Sequence, residues 1–424
     1  MSDPVAVFLG PDPVPALASG LDVICADACG IEPSGRARLA GLGRTGAASS
    51  ADLLEQAPVR DRLLASERTV VVWKSSARLE RQADELGLAL ANSPAQTARR
   101  LENKAYFAER APQAGLPIPP SSGGPAGPEL LQRARALPGP WVFQLAHSFS
   151  GEHTYPAPSG EALAGLMERF RGRLARVATR VEGLPVTVTG AVGPERVVLG
   201  RACLQLTGLA ELTPHPLGSC GNDFSRPVPE SALVDRLGRQ AGEWLGREGH
   251  RGLFGLDLVL AADGRAWCLE VNPRLVASVP LWSLSARDLG EPGPLDQHLA
   301  CLGLGPLRPA SAACHWSQVI LYQRAERRTA GASSTAAGRV EGGHFRPTGP
   351  LTLEGPRPGQ MGLVVHGRSR PGREMARLIF RGAACASGQG DLVPWLAELV
   401  TRLRRTLEEQ LPPLTAVSPG LPRR

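Results

Sequence analysis

The sequence predicts a molecule of mixed α/β and α+β class, and three observations carry that reading. Its 424 residues exceed one core of ordinary size, so two to four domains are expected. Over the first ninety or so residues, short apolar runs alternate with helix-like stretches, the pattern of parallel strands joined by helices. Further on, GLDLVLAADGRAWCLEVNPRL at 255–275 has the apolar alternation and central turn of an antiparallel hairpin.

Composition narrows the class. A hydrophobic share of 42% is enough to build such cores. No apolar run reaches the ~18 residues of a membrane span, and MSDPVAVFLGPDPVP has no basic segment ahead of its apolar patch. No membrane partner and no targeting segment are expected, and a cytoplasmic location follows. Eight cysteines are scattered without metal spacing; Cys25 and Cys29 form the one close pair and lack nearby histidines, so reduced thiols are expected. The net charge of +7 suits an anionic ligand but is mild for this length. With aromatics at 4% and no RNA-recognition or zinc-finger pattern, nucleic acid is not the expected partner. Among the basic residues only Lys74 and Lys104 are lysines, and Asn92, Asn103, Asn222 and Asn272 are the only asparagines. A drift toward arginine has removed the others, which gives weight to the positions that keep them.

Taken in order, VAVFLG, DVICA and TVVVW read as strands, and SSADLLEQAPVRDRLLA and SSARLERQADELGLAL as helices, the latter amphipathic through Leu79, Ala83 and Leu86. No Gly-x-Gly-x-x-Gly loop follows any of these strands, which argues against a dinucleotide site. At SPAQTARRLENK, Ser93 is suited to cap a helix with Pro94 in its first turn, and a second helix runs to Gly115. PWVFQLA is a strand, HSFSGEHTY a small-residue loop, GEALAGLMERFRGRLA a helix, and ARVATRVEG and LPVTVTGAV are strands. GSCGNDFSRPVP reads as a loop and a helix spans about 230–248. Beyond 306, RRTAGASSTAAGRVEGG has the composition of a mobile segment, while MGLVVHG, MARLIFRG and the helix LVPWLAELVTRLRRTLEEQ form a smaller C-terminal unit. The expected division is therefore 1–93, 94–305 and 306–424.

The hairpin holds the chemistry. With Asp263-Gly264 as a two-residue turn, Leu260 faces Trp267, Leu258 faces Leu269, and Asp257 faces Glu270; a three-residue loop would break this pairing. Two carboxylates then stand roughly 4.5–5.5 Å apart at Cβ. Their repulsion is relieved by protonation, by a bridging arginine or by a divalent cation. Period 2 sets Glu270, Asn272 and Arg274 on one face and Leu269, Val271 and Pro273 on the other. Two carboxylates and an amide oxygen are hard ligands suited to Mg²⁺ shared with a phosphate. Ser148, Ser150, Gly151 and Thr154 offer hydroxyl and backbone donors for an anion.

ENK at 102–104, the VFQ strand, the small-residue loop, RVEG, GLFGLDLVL and LEVNPR, in this order, resemble the ATP-grasp superfamily over about residues 1–305. The resemblance implies an ATP-grasp architecture: an N-terminal α/β pre-ATP-grasp domain, an ATP-grasp domain with a lid over about 121–183, and a small C-terminal α+β domain. It implies ATP with Mg²⁺, or Mn²⁺ in its place, as cofactors. Lys104 would match the first ATP-binding lysine, residues 148–154 the loop over the phosphates, and backbone near Thr179 and Val181 the adenine hinge. Asp257, Glu270 and Asn272 would match the metal ligands, and Arg274 the residue steadying the transferred phosphate or acyl phosphate.

Two departures stand out. Gln144 replaces a second lysine, supplying an amide without charge. If that amide contacts phosphate, Gln144→Lys should tighten ATP binding. Pro185 stands where a ribose-binding acid is frequent, with Glu182 as a substitute. Asn222 and Asp223 are candidate substrate contacts. The implied activity is an ATP-dependent ligase joining a small-molecule carboxylate to an amine through an acyl phosphate, with release of ADP and phosphate. The alternatives are a biotin-carboxylase-like reaction with bicarbonate as the acid, and a non-catalytic ATP-binding protein. The segment from 306 would select substrate or form a homodimer.

Overall fold

The computed structural model describes residues 6–26, 31–33, 38–41, 49–148, 151–308, 314–324, 329–330, 334–366, 368–369, 371–386 and 391–409. Its first layer is a parallel sheet of β1 (Ala6–Gly10), β2 (Asp22–Cys25), β3 (Leu39–Gly41) and β4 (Thr69–Val71), in the order β3-β2-β1-β4. Strand alternation divides β1 between two cores. Val7 and Leu9 pack with Leu53, Val59 and Leu79 from helices α1 (Ser50–Leu54), α2 (Ala57–Ser66) and α3 (Ala77–Leu86), while Ala6 and Phe8 join a second cluster that includes Leu275 and Trp282.

The chain then crosses into α4 (Ala95–Leu101) and α5 (Lys104–Arg110). Asn103 caps α5, its Oδ1 accepting from the backbone N–H groups of Ala105 and Tyr106 at 2.9 and 3.1 Å, and so fixes the start of the helix that carries Lys104. Ser93 does not cap α4 as expected: its hydroxyl accepts from the Arg251 N–H at 3.3 Å, and the Ala95 N–H is taken by the Glu80 carboxylate at 2.6 Å.

A small antiparallel sheet follows, with β5 (Ser121–Pro125), β6 (Trp141–Leu145), β7 (Thr154–Ala157) and β8 (Leu174–Thr179) in the order β5-β8-β6-β7. Helices α6 (Pro128–Arg135) and α7 (Gly160–Arg169) cover one face, burying Phe143, Leu145, Ala175 and Val177. The alternate residues Val142, Gln144, Arg176 and Ala178 line a cleft on the other face.

The floor of that cleft belongs to an eleven-stranded sheet. Its first part comprises β9 (Leu184–Val192), β10 (Val197–Leu199), β11 (Cys203–Thr207), β12 (Ser219–Asp223), β13 (Gly252–Leu260) and β14 (Ala266–Asn272), with α8 (Ser231–Arg247) packed on Val186 and Val188. Residues 219–223, expected as a loop, are thus a strand, paired with β11. After α9 (Val279–Leu289) and α10 (Pro294–Cys301), β15 (Trp316–Tyr322) pairs with β12 and carries the sheet across position 305 without a break. A two-residue strand, β16 (Thr329–Ala330), comes next, then β17 (Ser334–Glu341), β18 (His344–Gly349), β19 (Met361–Val365), β20 (Arg368–Ser369) and β21 (Glu374–Arg381); α11 (Pro394–Glu409) is the last element of the described residues. The strand order is β14-β13-β9-β11-β12-β15-β21-β19-β17-β18, with β10 on β9 and β16 paired to β20. Residues 334–341, expected to be mobile, are held by strands on both sides. No helix among the described residues is long and apolar enough to cross a membrane. The described cysteines are buried, and Cys203, Cys220, Cys268, Cys301, Cys314 and Cys385 are free; Cys29 lies outside the described residues.

Candidate active site

The hairpin β13–β14 places Asp257 opposite Glu270, but by a different route from the one expected. Its loop has three residues, closed by a hydrogen bond from the Ala261 N–H to Arg265 O, with Gly264 at φ +81°. Next to it Leu260 faces Ala266, Val259 faces Trp267 and Leu258 faces Cys268. The register then shifts between Asp257 and Leu258, leaving Leu269 as a bulge, and Asp257–Glu270, Leu256–Val271 and Gly255–Asn272 resume the expected pairing. Two one-residue offsets cancel. Because of the bulge, Leu269 lines the cleft alongside Glu270 and Asn272 instead of facing away.

Asp257 is the middle of three directly paired residues, with Glu270 on one side and Thr187 of β9 on the other. Its Oδ1 accepts from Thr187 Oγ1 at 2.8 Å and Gln205 Nε2 at 3.0 Å, and its Oδ2 from Asn272 Nδ2 at 3.2 Å. Burial first, then the Glu270 charge, push the Asp257 carboxyl up to about 7. Burial also works to raise Glu270, but Lys104, whose Nζ is 2.8 Å from Glu270 Oε2, together with Arg176 and Arg274 outweighs it and holds that carboxyl low. Lys104 is buried and also donates to Ser148 O at 3.0 Å.

Arg274 lies at the same end of the cleft. Its Nη2 donates to Asn272 Oδ1 at 2.9 Å, its Nη1 to Leu275 O at 3.0 Å, and its Nε to Glu102 Oε1 at 2.6 Å, while Glu102 also pairs with Lys74. Burial would raise the Glu102 carboxyl, yet Arg274 and Lys74 keep it low.

The cleft between the two sheets encloses about 1030 Å³. Of the residues proposed from sequence, Lys104, Gln144, Ser148, Gly151, Thr154, Thr179, Val181, Glu182, Asn222, Asp257, Glu270, Asn272 and Arg274 line it; Ser150 lies outside the described residues. Gly151, at φ +77°, packs against the 217–218 turn, where an added Cβ would fall 2.2 Å from Gly218 Cα. Thr179 Oγ1 is spent on Pro138 O at 2.8 Å, so the backbone of the 179–183 crossing is what it offers the cleft. The Glu182 carboxylate is mostly exposed and 3.7 Å from Arg180 Nη2.

Asp223 is a correction. It is wholly buried and lines no part of the cleft: its carboxylate accepts from Ser225 N and Oγ, Ser317 Oγ and the Ala384 N–H, pinning β12 to the C-terminal segment. Asn222 does reach the cleft, while its Oδ1 accepts from Gln318 Nε2 at 2.9 Å.

Sequence reasoning missed Thr187, Gln205 and, above all, Arg176. Arg176 is Gln144's direct cross-strand partner and donates to Gln144 Oε1 from Nε at 3.1 Å and Nη2 at 2.5 Å, and to the bulge carbonyl of Leu269 from Nη1 at 2.6 Å. The signal was an arginine at the polar phase of an apolar strand, obscured by the chain's general surplus of arginine.

No family model matches the sequence, and no curated protein matches it. Solved structures do match. An N5-carboxyaminoimidazole ribonucleotide synthetase from Thermus thermophilus is 16% identical with a TM-score of 0.59, covering 94% of this chain and 98% of that one. A biotin carboxylase–β-γ-ATP complex from Campylobacter jejuni is 12% identical with a TM-score of 0.60, covering 89% and 87%. The biotin carboxylase domain of a 2-oxoglutarate carboxylase from Hydrogenobacter thermophilus, in complex with MgADP and bicarbonate, is 13% identical with a TM-score of 0.57, covering 90% and 87%. Two facing sheets, a cleft between them and near end-to-end likeness to these enzymes agree with the order of motifs in the sequence: the chain has the ATP-grasp fold.

Proposed function

We propose that this protein is an ATP-dependent ligase that joins a carboxylate to an amine. The observation that carries the reading is the Asp257–Glu270 pair: two opposed, half-buried carboxylates with Asn272 beside them and Lys104 in contact, at the floor of a cleft large enough for a nucleotide. The donor set fits Mg²⁺. Both carboxylates and the Asn272 amide are hard oxygen donors, and no group of three His, Cys, Asp or Glu among the described residues would hold a metal unaided, so phosphate oxygens and water would complete the shell. Bound there, the ion would offset charge on the polyphosphate.

The chain's own residues supply the rest of the site. Lys104 would exchange its contact with Glu270 for a phosphate oxygen, the 148–154 loop would cover the phosphates, and the 179–183 crossing would meet the base. The acid's oxygen attacks the γ-phosphorus, the β–γ bridge breaks and ADP leaves. The amine then attacks the carbonyl carbon of the mixed anhydride, loses a proton and expels phosphate. Arg274 would stabilise negative charge on the reacting groups. Asn222 would contact substrate.

A second reading has bicarbonate as the acid, favoured because one structural neighbour is described with bicarbonate bound. Release of ADP and phosphate, followed with Mg²⁺, ATP and a panel of amino acids and dipeptides, and separately with bicarbonate, tests both. ADP formation that requires an acid and an amine together supports the ligase; bicarbonate-dependent ADP formation supports the second reading. No ADP formation with any of these contradicts both.

A further inference from the structure

Arg176 is a buried cation without a counter-ion in contact among the described residues. It is 2% exposed and lines the cleft, yet no carboxylate among the described residues lies within 4.0 Å of it. Glu270 is the acid whose field reaches it, and Glu270 is already paired with Lys104. Burial lowers the Arg176 guanidinium to about 10, which leaves it charged at neutral pH. A guanidinium has five N–H groups. The bonds to Gln144 Oε1 and Leu269 O use three, leaving two without a partner among the described residues. An unpaired buried charge is costly, and the cost is relieved when an anion enters the cleft beside it.

We propose that Arg176, supported by Gln144, is the second phosphate-binding cation of this site, displaced by one strand from position 144. This rests on the reading of the cleft as an ATP site and adds a residue to it. Cross-strand partners stand roughly 4.5–5.5 Å apart at Cβ, so a long side chain on β8 reaches the space that a cation on β6 would fill. Gln144 then has a defined task. Its Oε1 holds the guanidinium fork, which directs its Nε2 toward Thr154 Oγ1, 3.5 Å away, at the edge of the covering loop. Lysine at 144 would have no acceptor for Arg176 and would set a second positive charge against it. The structure therefore reverses the expectation for Gln144→Lys.

Calorimetric titration of the full chain with MgATP and with adenosine, for wild type, Arg176→Gln, Gln144→Lys and the double variant, tests this. Arg176→Gln is expected to weaken MgATP about 10- to 100-fold and to leave adenosine unchanged, since adenosine has no phosphate. Gln144→Lys is also expected to weaken MgATP, and the double variant to recover most of the loss by restoring one cation and one acceptor. The proposal is overturned if Arg176→Gln binds MgATP like wild type, if it loses adenosine and MgATP equally, or if Gln144→Lys tightens MgATP. The last result decides the matter even if Arg176→Gln does not fold. Wild type that binds no MgATP overturns the ATP reading itself, and the present inference with it.

Discussion

Asp257 shows how one residue's neighbours set its chemistry. Half-buried between Glu270 and Thr187, its carboxyl is pushed up, while Lys104, with Arg176 and Arg274, holds Glu270 low. The four asparagines, rare in this chain, each have a placed amide. Asn92 bonds both the N–H and the carbonyl of Val72, Asn103 caps α5, Asn222 meets Gln318, and Asn272 bridges Asp257 and Arg274. Scarcity was therefore a usable signal, although Asn222 marked a strand residue where a loop had been expected. Asn103→Ala should cost about 1 kcal/mol, the usual value of a cap. It should also raise the KM for ATP, because the helix it fixes begins with Lys104. Thermal unfolding and steady-state kinetics check this, with Asn103→Asp predicted to restore both.

Among the elements, the hairpin shows what alternation reveals and what it conceals. Two acids interrupting one hairpin were legible from the period-2 run around an Asp-Gly turn, but they face each other because a three-residue loop and a bulge offset one another. The bulge was not legible, because loop length is set by backbone geometry and both loop lengths share the Asp263-Gly264 signal. The bulge matters to the site, since it turns the Leu269 carbonyl to Arg176. Gly183, on the crossing between β8 and β9, has φ +153°, and an added Cβ would fall 2.1 Å from Leu260 O. Gly183→Ala should cost about 2 kcal/mol or more and weaken nucleotide binding by shifting the 179–183 crossing; unchanged melting and affinity would refute that role for it.

At the far side of the sheet, His366 Nε2 lies 3.2 Å from Glu374 Oε1, and Arg377 binds the same carboxylate. Burial works to lower the His366 imidazole, but Glu374 outweighs it and raises it; Arg377 and His366 together hold Glu374 well below the ordinary carboxylate range. The His366 contribution to stability is complete below its unfolded value of about 6.5 and is lost as pH rises through the raised folded value. The Glu374 contribution is present above about 4.3 and is lost on acidification. Melting temperatures of wild type and His366→Gln should therefore differ most near pH 5–6 and converge at alkaline pH; a gap independent of pH would contradict the pairing.

For the whole molecule, continuity of the large sheet is the main fact that the sequence did not reveal. Gly, Ala, Ser and Thr at 331–338 read as a loop by composition, yet 334–341 is a strand because neighbours on both sides supply its hydrogen bonds. Long-range pairing of that kind leaves little local trace. It also ties the C-terminal segment to the cleft, through β12–β15 and through Asp223, whose partners include Ser317 and Ala384. A fragment of residues 1–305 would expose the β12 edge and leave part of the Asp223 carboxylate's hydrogen bonding unmet. It is expected not to fold cooperatively by calorimetry; a fragment that folds and binds nucleotide would show the two parts to be independent.

The proposed activity depends most on Asp257 and Glu270 holding a nucleotide's phosphates through a divalent ion. Titration of wild type and Glu270→Gln with ADP, each with Mg²⁺ and with chelator, measures that link directly. Mg²⁺ should strengthen ADP binding at least about tenfold in wild type and have little effect in Glu270→Gln, with both proteins melting cooperatively. Equal Mg²⁺ dependence in the two proteins would contradict the account.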